Sequence, residues 1–430
     1  MLTGQKKSWK IYPVNYSNFN KDKKLKDLLI RNAVIPARDI EKKYDIFIHD
    51  GKITKIIQSD SAESTELTLK NNTSGDKDSK TKANIQVLDA RGRMIVPGYI
   101  DLHIQGAGGF DVLDGSEKAF YEISKTCAKY GVTGFLATTV YRVSGNNKHL
   151  EITSDLRGHK LPGAKLLGIH LEGPFISPEK RGMIQPGSIS NPSEKLLDKI
   201  LELSKGSLKI MTIAPELPGS ERIVSKLLDN SIVASFGHSK ATYEEAKRGF
   251  DYGISHVTHI FNAMAGLHHR EPGPLLAIYE NKKITCQLIA DGVHIHPAIL
   301  RFTADTITPG RLAIITDGMR PMGLPDGEYI YEGKRYISKD GTARYTDGTL
   351  VGTTLGFSEL LNRFMNFTNL DFIEVLKMGT EVPARVLGMN NYTSSLKEGM
   401  PADLLLLEKD FTPAITIVEG RIVFERASGC

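Results

Sequence analysis

The chain has 430 residues, 40% of them hydrophobic and 24% charged, the composition of a globular protein long enough for two domains. No apolar run approaches the roughly 20 residues needed to cross a bilayer, so no membrane partner is expected. The net charge of +5 is small, and its excess lies largely in the Lys-rich first 43 residues, which argues for a solvated surface and against nucleic-acid binding.

Cys127, Cys286 and Cys430 are far apart, with no Cys-x-x-Cys spacing. Neither a disulfide framework nor a thiolate zinc site is supported, and a reducing, cytoplasmic setting is expected. The polar N-terminus lacks the apolar core of a secretory signal, and its lone Trp9 reads as an anchor for the tail.

In chain order, 28–35 and 44–49 are strand-like, and Asp50-Gly51 turns the chain into a third strand at 52–57. Residues 59–84 are rich in Ser, Thr, Lys, Asp and Asn, and read as a flexible surface insertion unable to bury enough apolar area to become ordered. Asn72 begins an Asn-x-Ser triplet there, which a cytoplasmic chain would leave unglycosylated.

From Met94 onward strands and helices alternate. The spacing predicts strands at 95–103, 132–140, 165–172, 208–214, 232–238, 254–259, 284–291 and 312–317. Amphipathic helices are predicted at 116–130, 192–204, 220–228 and 242–252, with only a short polar candidate at 148–156. Eight strands alternating with helices predict an α/β fold, a (β/α)8 TIM-like barrel, with an open doubly wound sheet as the alternative. A hairpin excursion at 327–351, helices up to about 387 and a β-rich tail at 402–424 complete the chain. The expected organisation is a small β-sandwich domain built from both chain ends (1–93 and 392–430) around a barrel at 94–391.

Four predicted strands end on a metal-ligating or proton-transferring side chain: Glu172, His238, His259 and Asp317. Barrel enzymes build their sites at such strand ends, so one shared, metal-bearing site is expected. Each residue also has a structural reading. Glu172 could cap a helix at Gly173-Pro174, Asp317-Gly318 could be a turn, and His256 is read as a structural histidine.

The arrangement resembles the amidohydrolase superfamily, through Asp50-Gly-Lys-Ile53, Val96-Pro-Gly-Tyr-Ile-Asp-Leu-His103 and Gly399-Met-Pro-Ala-Asp-Leu404. Within it the chain is most similar to the N-acetylglucosamine-6-phosphate deacetylase family. The motifs carrying this are His170-Leu-Glu-Gly-Pro-Phe175, Gly237-His-Ser239, Thr258-His-Ile-Phe-Asn-Ala-Met264, His269-Arg-Glu-Pro-Gly273, Ala290-Asp-Gly-Val-His294 and Thr316-Asp-Gly318. The resemblance implies hydrolysis of N-acetyl-D-glucosamine 6-phosphate to the free amine and acetate, in a homodimer.

Glu172, His238 and His259 supply one oxygen and two imidazole nitrogens, the shell of one catalytic divalent metal, zinc, with a position left for water. Asp317 is the expected proton shuttle. His103-Ile-Gln105 stands where two-metal members have His-x-His, so a second metal would lack an imidazole; His103 is kept as a weak extra ligand or substrate contact.

The resemblance further implies that Arg270 and His294 anchor the phosphate, helped by Asn262 and Ala263, with Asp291, Gly292 and Val293 in the same segment. A surface ion pair with Glu271 is the bland reading of Arg270. Met183, Leu350, Val351 and Gly352 would line the sugar. Ile184 replaces the usual acetyl-contacting residue, with Gln185 adjacent. Rival readings are a cyclic amidohydrolase, for which the two-metal set is incomplete, and a non-catalytic scaffold.

Overall fold

The protein is described by a computed structural model covering residues 27–64 and 85–427. Trp9, the Asn72 triplet, residues 65–84 of the expected insertion and Cys430 lie outside the described residues. The first part of that insertion is anchored: the Ser59 and Ser64 hydroxyls each donate to the buried Asp45 carboxylate at 2.6 Å. Flexibility expected from composition alone is overridden there by a carboxylate that needs donors.

Eight parallel strands form the centre: β1 (Tyr99–Ile104), β2 (Val132–Thr139), β3 (Lys165–Glu172), β4 (Leu208–Ile213), β5 (Val233–Phe236), β6 (His256–Val257), β7 (Thr285–Ile289) and β8 (Leu312–Ile315). Each pairs with the next. The ring closes where the Asp317 N–H donates to the His103 carbonyl at 2.9 Å and Ile104 bridges Gly318. An open doubly wound sheet is thereby excluded.

One helix follows each strand: α1 (Glu117–Lys129), α2 (Lys148–Leu156), α3 (Glu194–Ser204), α4 (Ser220–Asp229), α5 (Tyr243–Asp251), α6 (Gly273–Glu280), α7 (Pro297–Thr306) and α8 (Phe357–Thr368). Their starts are chemically marked: Ser116 caps α1, and Thr242 with Glu245 forms a capping box on α5. Helices α6 and α7 were not expected. They open at Gly273-Pro274 and His296-Pro297, where proline is well tolerated in a first helical turn.

Strand side chains divide with period two. Leu136, Ile210, Ile289, Ala313 and Ile315 pack inside the barrel with Ile100 and Leu102, closed below by Val382 and Tyr392. Phe135, Met211, Leu288, Leu312 and Ile314 face the helices. Full burial of each large aliphatic contributes about 1.5–3 kcal/mol, so the barrel floor is a packed core and not a channel.

The predicted strand 95–103 is two strands. Met94–Pro97 pairs antiparallel with Leu404–Leu407 in the small domain, and β1 begins at Tyr99. The break falls at Gly98, where an added Cβ would lie 2.1 Å from the Thr133 side chain. The crossing into the barrel therefore lies at Gly98, not at 94.

Two four-stranded sheets make the small domain. One contains Lys52–Gln58, Tyr44–His49, Leu28–Ala33 and Gln86–Asp89; the other contains Arg421–Glu425, Pro413–Val418, Leu404–Leu407 and Met94–Pro97. Ile30, Ile46 and Ile48 of the first pack with Ile95, Leu404, Leu406 and Ile417 of the second. The two chain ends thus form one sandwich. The excursion after β8 is a further antiparallel sheet of Gly327–Tyr331, Lys334–Lys339, Thr342–Tyr345 and Leu350–Thr353, which returns to the barrel rim when the Thr353 N–H donates to the Asp317 carbonyl at 3.0 Å.

Candidate metal centre and substrate pocket

Glu172 is the last residue of β3, which settles it as a strand-end carboxylate and not a helix cap. The strands predicted to reach His238, His259 and Asp317 each end two residues earlier, at Phe236, Val257 and Ile315. Each of the three functional residues has left-handed backbone, with φ of 47°, 28° and 46°. Such conformations cost a non-glycine residue on the order of 1 kcal/mol and persist where the surroundings over-determine them. At Asp317 the surroundings are explicit: its N–H is held by the His103 carbonyl and its own carbonyl by the Thr353 N–H. Gly352 permits this approach, since a Cβ there would lie 2.5 Å from the Asp317 carbonyl oxygen.

These turns make three side chains converge. Glu172 Oε1 lies 3.0 Å from His238 Nε2 and 3.1 Å from His259 Nε2, and the two imidazole nitrogens are 3.1 Å apart. His238 Nδ1 faces the Lys180 carbonyl at 2.8 Å, an acceptor only, so Nδ1 carries the proton and Nε2 of the neutral ring presents a lone pair. A lone pair aimed at a carboxylate oxygen and a second imidazole nitrogen is repulsive unless a cation lies among them. Ligand bonds of about 2.0–2.1 Å in a tetrahedral site put neighbouring ligands roughly 3.3 Å apart, close to this triangle. The donor set therefore fits one divalent metal, and all three residues are buried.

Two further groups bind the carboxylates. His103 is fully buried; its Nδ1 lies 3.1 Å from Gln287 Oε1, and its Nε2 lies 3.3 Å from Asp317 Oδ1 and 3.5 Å from Glu172 Oε2. Burial opposes its protonation, but Glu172 and Asp317 together hold its pKa well above the usual imidazole value. Burial likewise would raise Glu172 and Asp317, and is outweighed by His103, so both carboxyls lie below their usual range. Gln105 places Nε2 3.4 Å from Glu172 Oε2 and 3.3 Å from Asp317 Oδ1. Sequence reasoning left Gln105 out of the site, although its place two residues after His103 was the available signal.

A cavity of about 230 Å³ opens over this cluster. Met183, Asn262, Ala263, His294, Leu350 and Val351, all singled out in the sequence, line it, together with Gln105, Gly182 and Thr349, which were not. Asp291 lies behind the wall: its Oδ2 accepts from His294 Nδ1 at 2.6 Å and its Oδ1 from the Val293 and His294 N–H groups at 2.8 Å. It orients His294 and is not itself in the cavity wall. Gly292, with φ of 80°, makes the turn, and Val293 is exposed.

Arg270 is not brought to the cavity. It is exposed on the loop that carries Asn262 and Ala263, with Nη1 2.8 Å from His269 Nε2. Ile184 is buried against Val140 and Ile176, and the Gln185 amide donates to the Met183 carbonyl at 2.9 Å. Neither of these two side chains lines the cavity.

A cluster of one glutamate and two histidines that could hold a metal, at the mouth of a (β/α)8 barrel flanked by a β-sandwich, points to a class of metal-dependent hydrolase. Residues 94–423 match the model of the amidohydrolase family, and the chain belongs to that family, among its N-acetylglucosamine-6-phosphate deacetylases. It is 33% identical over 403 residues to an N-acetylglucosamine-6-phosphate deacetylase of Bacillus subtilis (strain 168), covering 92% of this chain and 97% of that one. It is 31% identical to an N-acetylgalactosamine-6-phosphate deacetylase of Escherichia coli O157:H7, covering 79% and 90%. Among solved structures, the N-acetylglucosamine-6-phosphate deacetylase of Pasteurella multocida superposes with a TM-score of 0.79 at 25% identity, covering 92% and 99%. A mutant of the Mycobacterium smegmatis enzyme in complex with N-acetyl-D-glucosamine 6-phosphate gives 0.77 at 26% identity, covering 93% and 100%.

Proposed function

We propose that this enzyme hydrolyses N-acetyl-D-glucosamine 6-phosphate to D-glucosamine 6-phosphate and acetate, in amino-sugar catabolism. The observation that carries the reading is the triangle of Glu172 Oε1, His238 Nε2 and His259 Nε2 with Asp317 beside it at the floor of a sugar-sized cavity. The proposed cofactor is a single zinc ion. When bound, such an ion supplies Lewis-acid charge that lowers the pKa of water towards about 7.

The chain's own residues do the rest. Asp317 accepts the proton of the water attacking the acetyl carbonyl and returns it to the amide nitrogen, so that the C–N bond breaks with a neutral amine leaving. Asn262 and His294 meet the polar end of the substrate, with Asp291 holding the His294 ring in place. Met183, Leu350 and Val351 supply the apolar wall.

Arg270 sits at the end of the same loop, where it would serve the phosphate once that loop engages substrate or a partner subunit of the proposed homodimer. Buried thiols at Cys127 and Cys286 suit the proposed reducing, cytoplasmic setting. Acetate release from N-acetylglucosamine 6-phosphate, its 4-epimer N-acetylgalactosamine 6-phosphate and unphosphorylated N-acetylglucosamine is the test. Preference for the first supports the reading, and absence of acetate from all three with metal-loaded protein overturns it.

A further inference from the structure

Glu172 has two oxygens with different partners. Oε1 faces the two histidines, whereas Oε2 faces Gln105 Nε2 at 3.4 Å and His103 Nε2 at 3.5 Å. The same two nitrogens also face Asp317 Oδ1, each at 3.3 Å. One carboxamide thus spans Glu172 and Asp317, and its two N–H hydrogens match the two oxygens in number. The amide must present nitrogen, since both neighbours are carboxylate oxygens and can only accept.

Gln105 is itself firmly placed. Its N–H donates to the Gly318 carbonyl at 2.9 Å and its carbonyl accepts from the Val112 N–H at 2.8 Å, while the side chain is buried with Met183 Sδ 3.9 Å away. The Gly318 bond ties it to the residue directly after Asp317. Backbone and side chain therefore both register Gln105 against the shuttle.

We infer that Gln105 is a positioning residue: its carboxamide holds Asp317 at a fixed distance from Glu172, reserves Glu172 Oε1 for the metal, and so sets the geometry of proton transfer. This rests on the deacetylase reading above. Two carboxylates close together repel, and the Gln105 amide places a neutral double donor between them, beside the His103 ring.

The test compares parent, Gln105→Met, Gln105→Glu, Asp317→Asn and the double variant Gln105→Met with Asp317→Asn. Metal content is read by elemental analysis, and kcat and KM for N-acetylglucosamine 6-phosphate are measured separately. Gln105→Met keeps the length and removes the donors; its kcat should fall about 10- to 100-fold, the range for partners of a metal site, with parental metal content and KM within about 3-fold. Gln105→Glu adds a third carboxylate and should lose at least as much kcat.

In the Asp317→Asn background, Gln105→Met should cause almost no further loss, because the group it positions is already disabled. Parental kcat in Gln105→Met or Gln105→Glu overturns the inference, as does a metal content that drops with Gln105→Met or an undiminished loss in the double variant. An inactive, metal-loaded parent would instead overturn the functional reading on which the inference rests.

Discussion

Apart from His103, which sits between two carboxylates, two pairs of buried imidazoles occupy two levels of this barrel, and what they meet differs. Within the strands, His170 contacts the Leu102 carbonyl at 3.0 Å and the Thr212 hydroxyl at 2.9 Å, and His256 contacts the Thr285 hydroxyl at 2.7 Å. Their neighbours are groups that an uncharged ring can satisfy, and burial lowers both pKa values, that of His256 to about 3. Past the strand ends, His238 and His259 meet each other and a carboxylate. Burial is common to all four, so it does not identify a ligand; convergence of two imidazole nitrogens on one carboxylate oxygen does.

The strongest way to break the contrast is to remove the carboxylate from the upper level. Glu172→Gln should abolish tight metal binding and lower turnover by more than about 1,000-fold, well beyond the 10- to 100-fold typical of outer partners. Chelation of the parent should lower its Tm, since it removes the cation that joins the two imidazole nitrogens and the carboxylate oxygen, and should leave the Tm of Glu172→Gln nearly unchanged. Retention of one metal per chain in Glu172→Gln would remove Glu172 from the ligand set.

Asp317 sharpens the comparison, because it shares the upper level without joining the triangle. Asp317→Asn keeps the shape and loses the acceptor, so turnover should fall roughly 100- to 10,000-fold with metal content unchanged. Loss of the metal in this variant would make Asp317 a ligand.

The two candidate phosphate anchors separate in the same manner. His294 lines the cavity and is held by Asp291, whereas Arg270 is exposed. A charge-assisted contact to phosphate contributes roughly 1.5–3 kcal/mol, so removing an anchor should raise KM for the 6-phosphate sugar about 10- to 150-fold and leave the unphosphorylated sugar little affected. His294→Ala is expected to show this selectivity. Arg270→Ala shows it only if the loop closes on substrate or a partner subunit delivers the guanidinium; equal KM values for parent and Arg270→Ala would exclude that residue as an anchor.

The lower level was the more legible in the sequence. Apolar runs such as Leu312–Ile315 declare buried strands, and period-two alternation divides them between the floor and the helices. At the upper level, the identities of Glu172, His238, His259 and Asp317 were readable because each follows such a run. The left-handed backbone that ends the strands was not, since histidine and aspartate are enriched there but adopt it in only a minority of cases. Gln105 was missed for a related reason: an amide has no standing as a catalytic residue until the two oxygens it spans are known.

The lower level offers the smallest and most specific effect, one of pH. The folded pKa of His256, about 3, lies below the ordinary imidazole value of 6.5, because burial disfavours the cation. Between those values the unfolded chain binds a proton that the folded chain does not, so stability rises with pH across this window and falls as pH drops below 6.5. From pH 7 to 5.5 this one group should remove about 1 kcal/mol of stability. His256→Gln removes the titration while retaining a partner for the Thr285 hydroxyl. Denaturant unfolding at the two pH values should therefore show a smaller acid-induced loss in the variant than in the parent. An identical loss in both would mean that His256 is charged in the folded protein, and the division between the two levels would no longer hold.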